Sequence, residues 1–293
     1  MEETLRRLNR ERLICLAYLA VAVVLACLAA VSLFFAVSPS VHIGFTIPFI
    51  FFAVFTASLV YAIKSNKKIH TAYETDFRES AKRISMKDKF PECEYGGEYL
   101  TAADLAAAEI ISFDEKAVFT ESFRAIYEDI PFSTAYFKTE KDFNGLFFVF
   151  TYDAEFRKNA RVRQRGFYNA AKAVNSSTDT PYVKYKTGNI LFDYAFNAMA
   201  ASSAEGKTVL TEPVLQPFLK IRENTAAKLS ASFIGDRLYL ILQNPKRDCR
   251  IPLLFNIRKE KLINETLSET QLAVSLAADL KLEKRIWKKH GSA

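Results

Sequence analysis

Histidine is almost missing from this chain. Its three copies are His42, His70 and His290, so a Ser/His/Asp or Cys/His nucleophile would find no imidazole base between residues 71 and 289. Glycine is scarce too, nine in 293 residues, and neither GxGxxG nor GxxxxGK[ST] occurs; the usual loops that cradle phosphate with backbone N–H groups are not there. The four cysteines are dispersed with no CxxC, which supports no zinc site and asks for no disulfide, as in a reducing compartment. The sequence therefore names no catalytic residue, no cofactor-binding residue and no metal ligand, and the reading leans away from an enzyme.

Charge is missing from two long runs. Leu13 to Val37, "LICLAYLAVAVVLACLAAVSLFFAV", has 25 residues and Val41 to Ile63, "VHIGFTIPFIFFAVFTASLVYAI", has 23. Each exceeds the roughly 20 residues that carry a helix across about 30 Å of hydrocarbon. Ser38-Pro39-Ser40 ends the first run and permits a tight return, so the expected anchor is a transmembrane hairpin of helices 13–37 and 41–63. Arg6, Arg7, Arg10 and Arg12 precede it, Lys64, Lys67 and Lys68 follow it, and the loop between has no lysine or arginine. The positive-inside rule then puts both ends in the cytoplasm. A cleaved signal peptide fits less well, because the first run is too long and a second follows at once. "VLAC" (Val24 to Cys27) is a poor lipoprotein box, with Leu25 misplaced and ten uncharged residues continuing past the cysteine.

After the membrane, residues 64–90 form a linker in which Ile69, Tyr73, Phe77 and Ile84 punctuate alternating charges, an amphipathic helical pattern closed by Pro91. Residues 91–293 are expected to be an α+β cytoplasmic domain. "TAADLAAAEIIS" is a short helix capped by Thr101. "FRAIY", "STAYFKTE" and "LFFVFTY" read as strands, the last only seven residues long and too short for a third span. "ILFDYAFNAMA" reads as a strand, and "VLTEPVLQPFLKI" as a helix interrupted by Pro213 and Pro217. In "LSASFIGDRLYLIL", Leu229, Ala231 and Phe233 alternate into a Gly235-Asp236 turn and Leu238, Leu240 and Leu242 alternate back, a hairpin pattern. No regular βαβ repeat appears, which favours α+β.

The charge is uneven. Of 40 basic and 33 acidic residues, four arginines and three glutamates precede residue 64, leaving 36 and 30. Arg157, Lys158, Arg161, Arg163, Arg165, Lys172, Lys184 and Lys186 stand together against Asp179 alone. In a strand, Arg161, Arg163 and Arg165 fall on one face. The segment is the candidate polyanion site, with Arg157, Lys158, Arg161, Arg163, Arg165, Lys184 and Lys186 as its residues; an anionic lipid surface is the nearer partner and nucleic acid the less expected one. The plain alternative is a solvated face paired with its neighbours. Asp153 and Glu155 mark a turn and pair with Arg157 or Lys158, or else contribute to a cation site. At the C-terminus, Gln271 to His290 as a helix carries Leu272, Leu276, Leu280 and Trp287 on one stripe and Lys281, Lys284, Arg285 and Lys288 on another. Such a helix either docks on its own domain or lies on a membrane.

"GLFFVFTYDAEFRKNARVR" (Gly145 to Arg163) and "LFDYAFNAMAASSAEGKTVLTEPVLQPFLKI" (Leu191 to Ile221) resemble the bacterial domain of unknown function 3137 family: a glycine-aromatic strand with a basic return strand, then a strand leading into a helix at Leu210-Thr211. The resemblance implies two N-terminal spans, a helical linker and a cytoplasmic domain in the bacterial plasma membrane, with other membrane proteins as candidate partners. It implies no reaction. The functional expectation is a membrane-anchored binding or scaffold module, with a lipid or nucleic-acid binder and a carboxylate-based hydrolase as alternatives.

Overall fold

The computed structural model describes residues 2–37, 46–111, 116–140, 143–167, 182–244 and 267–288. The Ser38-Pro39-Ser40 link, His42, Lys172, Asp179, Cys249 and His290 lie outside them. The chain divides into two compact units at Ser85/Met86.

The first unit is helical. Helix α1 (Glu2–Val37) has 36 residues and α2 (Thr46–Lys89) has 44, its last turn belonging to the second unit. The stretch Arg6–Phe34 of α1 is long and apolar enough to cross a membrane, and only 17% of it is buried. The buried positions of α1 include Leu8, Cys15, Ala22 and Ala29, spaced by sevens. A seven-residue spacing keeps one seam of a helix facing one neighbour. Leu8 and Cys15 form a cluster with Tyr73, Phe77, Ala81 and Ile84 of α2, and the Arg7 guanidinium donates to Ser80 Oγ at 3.2 Å. The linker positions picked by amphipathic spacing are thus the ones that α2 turns towards α1.

The second unit is one nine-stranded antiparallel sheet, ordered β1-β2-β3-β4-β9-β8-β5-β7-β6. Its strands are β1 (Glu94–Tyr95), β2 (Val118–Tyr127), β3 (Ile130–Lys138), β4 (Asn144–Thr151), β5 (Ala160–Gln164), β6 (Val183–Tyr185), β7 (Phe196–Ala200), β8 (Lys228–Ile234) and β9 (Arg237–Gln243). Helices α3 (Ala102–Ala107), α4 (Ile190–Ala195), α5 (Ser203–Val209), α6 (Glu212–Asn224) and α7 (Ser268–Leu282) interrupt or follow them.

Alternation along the strands assigns the two faces. Leu146, Phe148 and Phe150 of β4 join Leu238, Leu240 and Leu242 of β9 in the main core, covered by Val214, Leu215 and Phe218 of α6 and Val274, Leu276 and Leu280 of α7. Phe147 and Val149 join Tyr239 and Ile241 on the opposite face, under Leu105 of α3 and Ile110. At Gly145, the second residue of β4, a Cβ would stand 2.9 Å from Phe137 Cε1 and 3.1 Å from the Leu242 carbonyl oxygen, so a larger residue there would push its neighbours aside.

The β8–β9 hairpin forms in the expected register, Leu229 opposite Leu242 and Ile234 opposite Arg237 around Gly235-Asp236. The partner of β4 differs from expectation. The arginine strand β5 is not its neighbour; β9 and β8 lie between them. Every residue of β4 from Gly145 to Phe150 is buried, which demands neighbours apolar on both faces. The stretch "LYLIL" of β9 meets that demand, whereas β5 would set Arg161 and Arg163 against Phe147 and Val149. Residues 152–159 therefore cross the hairpin tip, where Tyr152 N donates to Asp236 O at 2.9 Å and Phe156 N to Gly235 O at 2.7 Å.

Three further differences have local causes. "ILFDYAFNAMA" is not one strand: Asn189 Oδ1 accepts from Phe192 N at 2.9 Å and starts α4, after which β7 takes Phe196–Ala200. Helix α6 runs unbroken through both prolines: Pro213 occupies the first turn, whose N–H groups have no helical partner, and Pro217 stands inside the helix at the cost of the donor to the Pro213 carbonyl, with Val214, Leu215 and Phe218 buried around it. The C-terminal helix ends at Leu282 instead of His290 and gives way to a short 3-10 turn at Lys284–Ile286. Trp287 then stacks on Phe156 at 4.6 Å and lies 4.7 Å from Tyr152, so this tail is docked on its own unit.

Candidate functional site

The basic segment divides by burial. Strand alternation does place Arg161 and Arg163 on one face of β5, beside Ser230 and Ser232 of β8 and Asn197 and Met199 of β7. That face is covered. The Arg161 guanidinium, 7% exposed, pairs with Glu109 just after α3 and lies 3.7 Å from the centre of the Tyr182 ring. Arg163 donates to the Ile110 carbonyl oxygen at 3.0 Å. Burial pulls both guanidinium pKa values below their ordinary position. These two arginines hold the α3 segment onto the polar half of the sheet face, next to the apolar half built on Phe147 and Ile241.

The remaining members point elsewhere. Arg157 Nε donates to the Trp287 carbonyl oxygen at 3.0 Å, and Lys158 pairs with Glu205 at 3.5 Å. Glu155 pairs with Lys288 of the C-terminal tail; the expected pairing with Arg157 or Lys158 is replaced because the crossover brings it to the tail. Arg165 is exposed and donates to the Asp193 carbonyl oxygen at 3.1 Å, while Lys184 and Lys186 are exposed on and after edge strand β6. Seven residues of the segment 157–186 thus serve four places: the α3 face, the C-terminal tail, α5 and the β6–α4 edge.

A cleft of about 710 Å³ opens on the α3 face at the β1–β4 end of the sheet. Ser133, Val149 and Thr151 belong to its floor. On one wall Arg124 pairs with Glu94 at 2.7 Å and lies 5.2 Å from the Tyr99 ring centre, and Tyr99 Oη donates to the same Glu94 oxygen at 3.2 Å. The hydrogen bond from Arg124 holds the Glu94 carboxyl below the usual range. Asp104, whose carboxylate closes a capping box with Thr101, and Arg237 also line it. Each arginine has a carboxylate nearby, and Glu92, Glu94 and Asp104 exceed Arg124 and Arg237 by one, so the cleft offers fixed donors and acceptors with a slight acidic surplus, and neither histidine nor cysteine lines it. Sequence reasoning missed this site; its one available signal was the Thr101 cap, which orients Asp104.

An antiparallel sheet with helices on both faces, following an exposed apolar helix, defines the class as an α+β domain on an apolar N-terminal segment. Residues 141–282 match a family model described as "Protein of unknown function (DUF3137)", a span that runs from β4 through α7 and supports the resemblance over the centre of the sheet. No curated protein matches the chain. Among solved structures, the crystal structure of the mycobacterial trehalose monomycolate transport factor A, TtfA, is similar at 8% identity and a TM-score of 0.41, over 69% of this chain and 96% of that one. That likeness is too distant to carry an argument.

Proposed function

We propose that this chain is an integral membrane protein of the bacterial plasma membrane, anchored by a two-helix hairpin, whose α+β domain acts in the cytoplasm as a binding or scaffold module. One observation carries the reading: eleven large apolar side chains of α1, from Leu13 to Phe34, stand exposed. At about 1.5–3 kcal/mol for each such side chain moved out of water, leaving them wet forgoes more than the whole stability of a typical domain, about 5–15 kcal/mol. Lipid supplies the cover.

The second span draws on the start of α2. Thr46–Ile63 is 18 helical residues without a charge, with Ile50, Phe51, Val54, Val60, Tyr61 and Ile63 exposed. Eight residues separate α1 from α2 and reach at most about 30 Å, yet Leu8 clusters with Ala81 far along α2; the second helix must return beside the first. The basic residues at both outer ends then favour a cytoplasmic domain. Within that domain Arg124 and Glu94 of the cleft and Arg161 of β5 are committed to internal pairs, which suits a rigid binding surface better than proton transfer. Extraction of membranes at pH 11 tests the anchor: the chain is expected to stay with the lipid pellet and leave only with detergent. Release by alkali or by high salt would contradict it.

A further inference from the structure

Helix α4 shows an apolar side to solvent that no described residue of its own unit covers. Ile190, Leu191 and Tyr194 are 85%, 69% and 74% exposed, while Phe192 and Ala195 of the same six-residue helix are buried beneath them. The exposure is not that of a loose loop. Asp193 Oδ1 accepts from Thr187 N and Thr187 Oγ1, each at 3.0 Å, and Oδ2 accepts from Gly188 N at 3.3 Å. Asn189 caps the helix and donates from Nδ2 to Glu212 at 2.7 Å. The tip is therefore preorganised, with three large side chains held outward.

The charges around it lean positive by one, Arg165, Lys184 and Lys186 against Asp193 and Glu212. Arg165 is fixed at its base through the Asp193 carbonyl, and Lys186 and Lys184 precede the Thr187–Asn189 turn, exposed and with no described carboxylate in ion-pairing reach. The two carboxylates are held in place by neutral donors, Asp193 as above and Glu212 by Asn189 and by Gln216 at 2.8 Å, while the cations stand exposed. An apolar and aromatic tip with a net positive rim matches the boundary of a leaflet that carries anionic headgroups over an apolar interior.

We infer that Ile190, Leu191 and Tyr194, framed by Arg165, Lys184 and Lys186, form a contact site for an anionic phospholipid surface. The inference rests on the membrane anchoring proposed above, which keeps such a surface within reach of the domain. Tyr194 brings a ring with a polar end, the type enriched at membrane interfaces, and each cation near the surface strengthens contact about fivefold at moderate salt.

The test uses the full chain reconstituted in vesicles of zwitterionic lipid, alone or with one third phosphatidylglycerol. An environment-sensitive fluorophore is placed by Leu191→Cys in a background whose native cysteines are replaced, with spin-labelled lipid as quencher. Hydrogen exchange of residues 189–195 in the unaltered chain gives a second readout that needs no variant. Quenching and slowed exchange are expected with the anionic lipid only, and both are expected to fall at least about fivefold in Lys184→Glu/Lys186→Glu. Equal exposure in both lipids, or protection indifferent to the charge reversal, would overturn the site and point to a protein or to water as its neighbour. Floating the vesicles first separates the two ideas. Protein that floats with an unquenched probe sinks the tip alone, and protein that no longer floats sinks the anchor and the tip together.

Discussion

Arg161→Ala is expected to destabilise the sheet unit by about 3–5 kcal/mol, because it leaves Glu109 half-buried without its cation. Glu109 is 20% exposed and sits at a positive φ of 50°, a strained conformation that the pair helps to hold. Glu109→Ala should cost a similar amount by stranding Arg161. In the double variant Arg161→Met/Glu109→Leu, apolar contacts replace both charges, and most of the loss should be recovered. For a unit of this size, 3 kcal/mol lowers the melting temperature by roughly 6–12 °C, readable by circular dichroism of the full chain in detergent. Lys116→Ala is the control: its pair with Glu140 is 72% and 57% exposed, so a change of less than about 1 kcal/mol is expected. If Arg161→Ala behaves like Lys116→Ala, the buried pair is not what holds α3 to the sheet.

Phe156→Ala is the second large effect. Phe156 is 2% exposed and lies 5.6 Å from the Tyr152 ring, 5.1 Å from Phe233 and 4.6 Å from Trp287. Its ring thus ties together the crossover, the β8–β9 hairpin and the C-terminal tail. Removing a buried phenylalanine costs about 3–5 kcal/mol. The loss should also free the tail locally, since Trp287 would lack the ring it stacks on, leaving the backbone bonds of the Phe156–Trp287 bridge, Arg157 N to Ile286 O and Lys288 N to Glu155 O, to hold it. Trypsin cutting at Lys284 and Arg285 measures that directly: faster cleavage there than elsewhere is expected. Cleavage slowed or unchanged while the unit melts earlier would show that the tail does not depend on Phe156.

Some of this architecture can be read before any coordinates. The β8–β9 hairpin is local, with its turn residues and both alternating faces lying within fifteen residues of each other, and Thr101 announces α3 through a cap three residues long. One neighbour of β4 is local, the hairpin strand β3 just before it. The other, β9, comes from about 90 residues further on, and a hydrophobic strand says that it needs apolar partners without saying which. For β5, alternation places the arginines on one face correctly, but whether that face is wet depends on Glu109 and Tyr182, about fifty residues before it and twenty after. The apolar run at 190–200 hides a change of period in mid-run; Asn189 and Asp193 are the signals of a helix start that the run of large residues masks. The sevens of Leu8, Cys15, Ala22 and Ala29 stand in plain view, yet in a run apolar on every side a seam of small residues becomes visible only once burial is known.

The central claim, that the α+β domain lies on the cytoplasmic side of a membrane it never leaves, has one direct measurement. Trypsin is added to intact spheroplasts and to inverted inner-membrane vesicles carrying the full chain, and cleavage at Lys284 and Arg285, exposed in the C-terminal turn, is followed with time. Two spans with cytoplasmic ends predict protection in spheroplasts and rapid cutting in inverted vesicles. Cutting in intact spheroplasts with protection in inverted vesicles would put the domain on the other side and contradict the account.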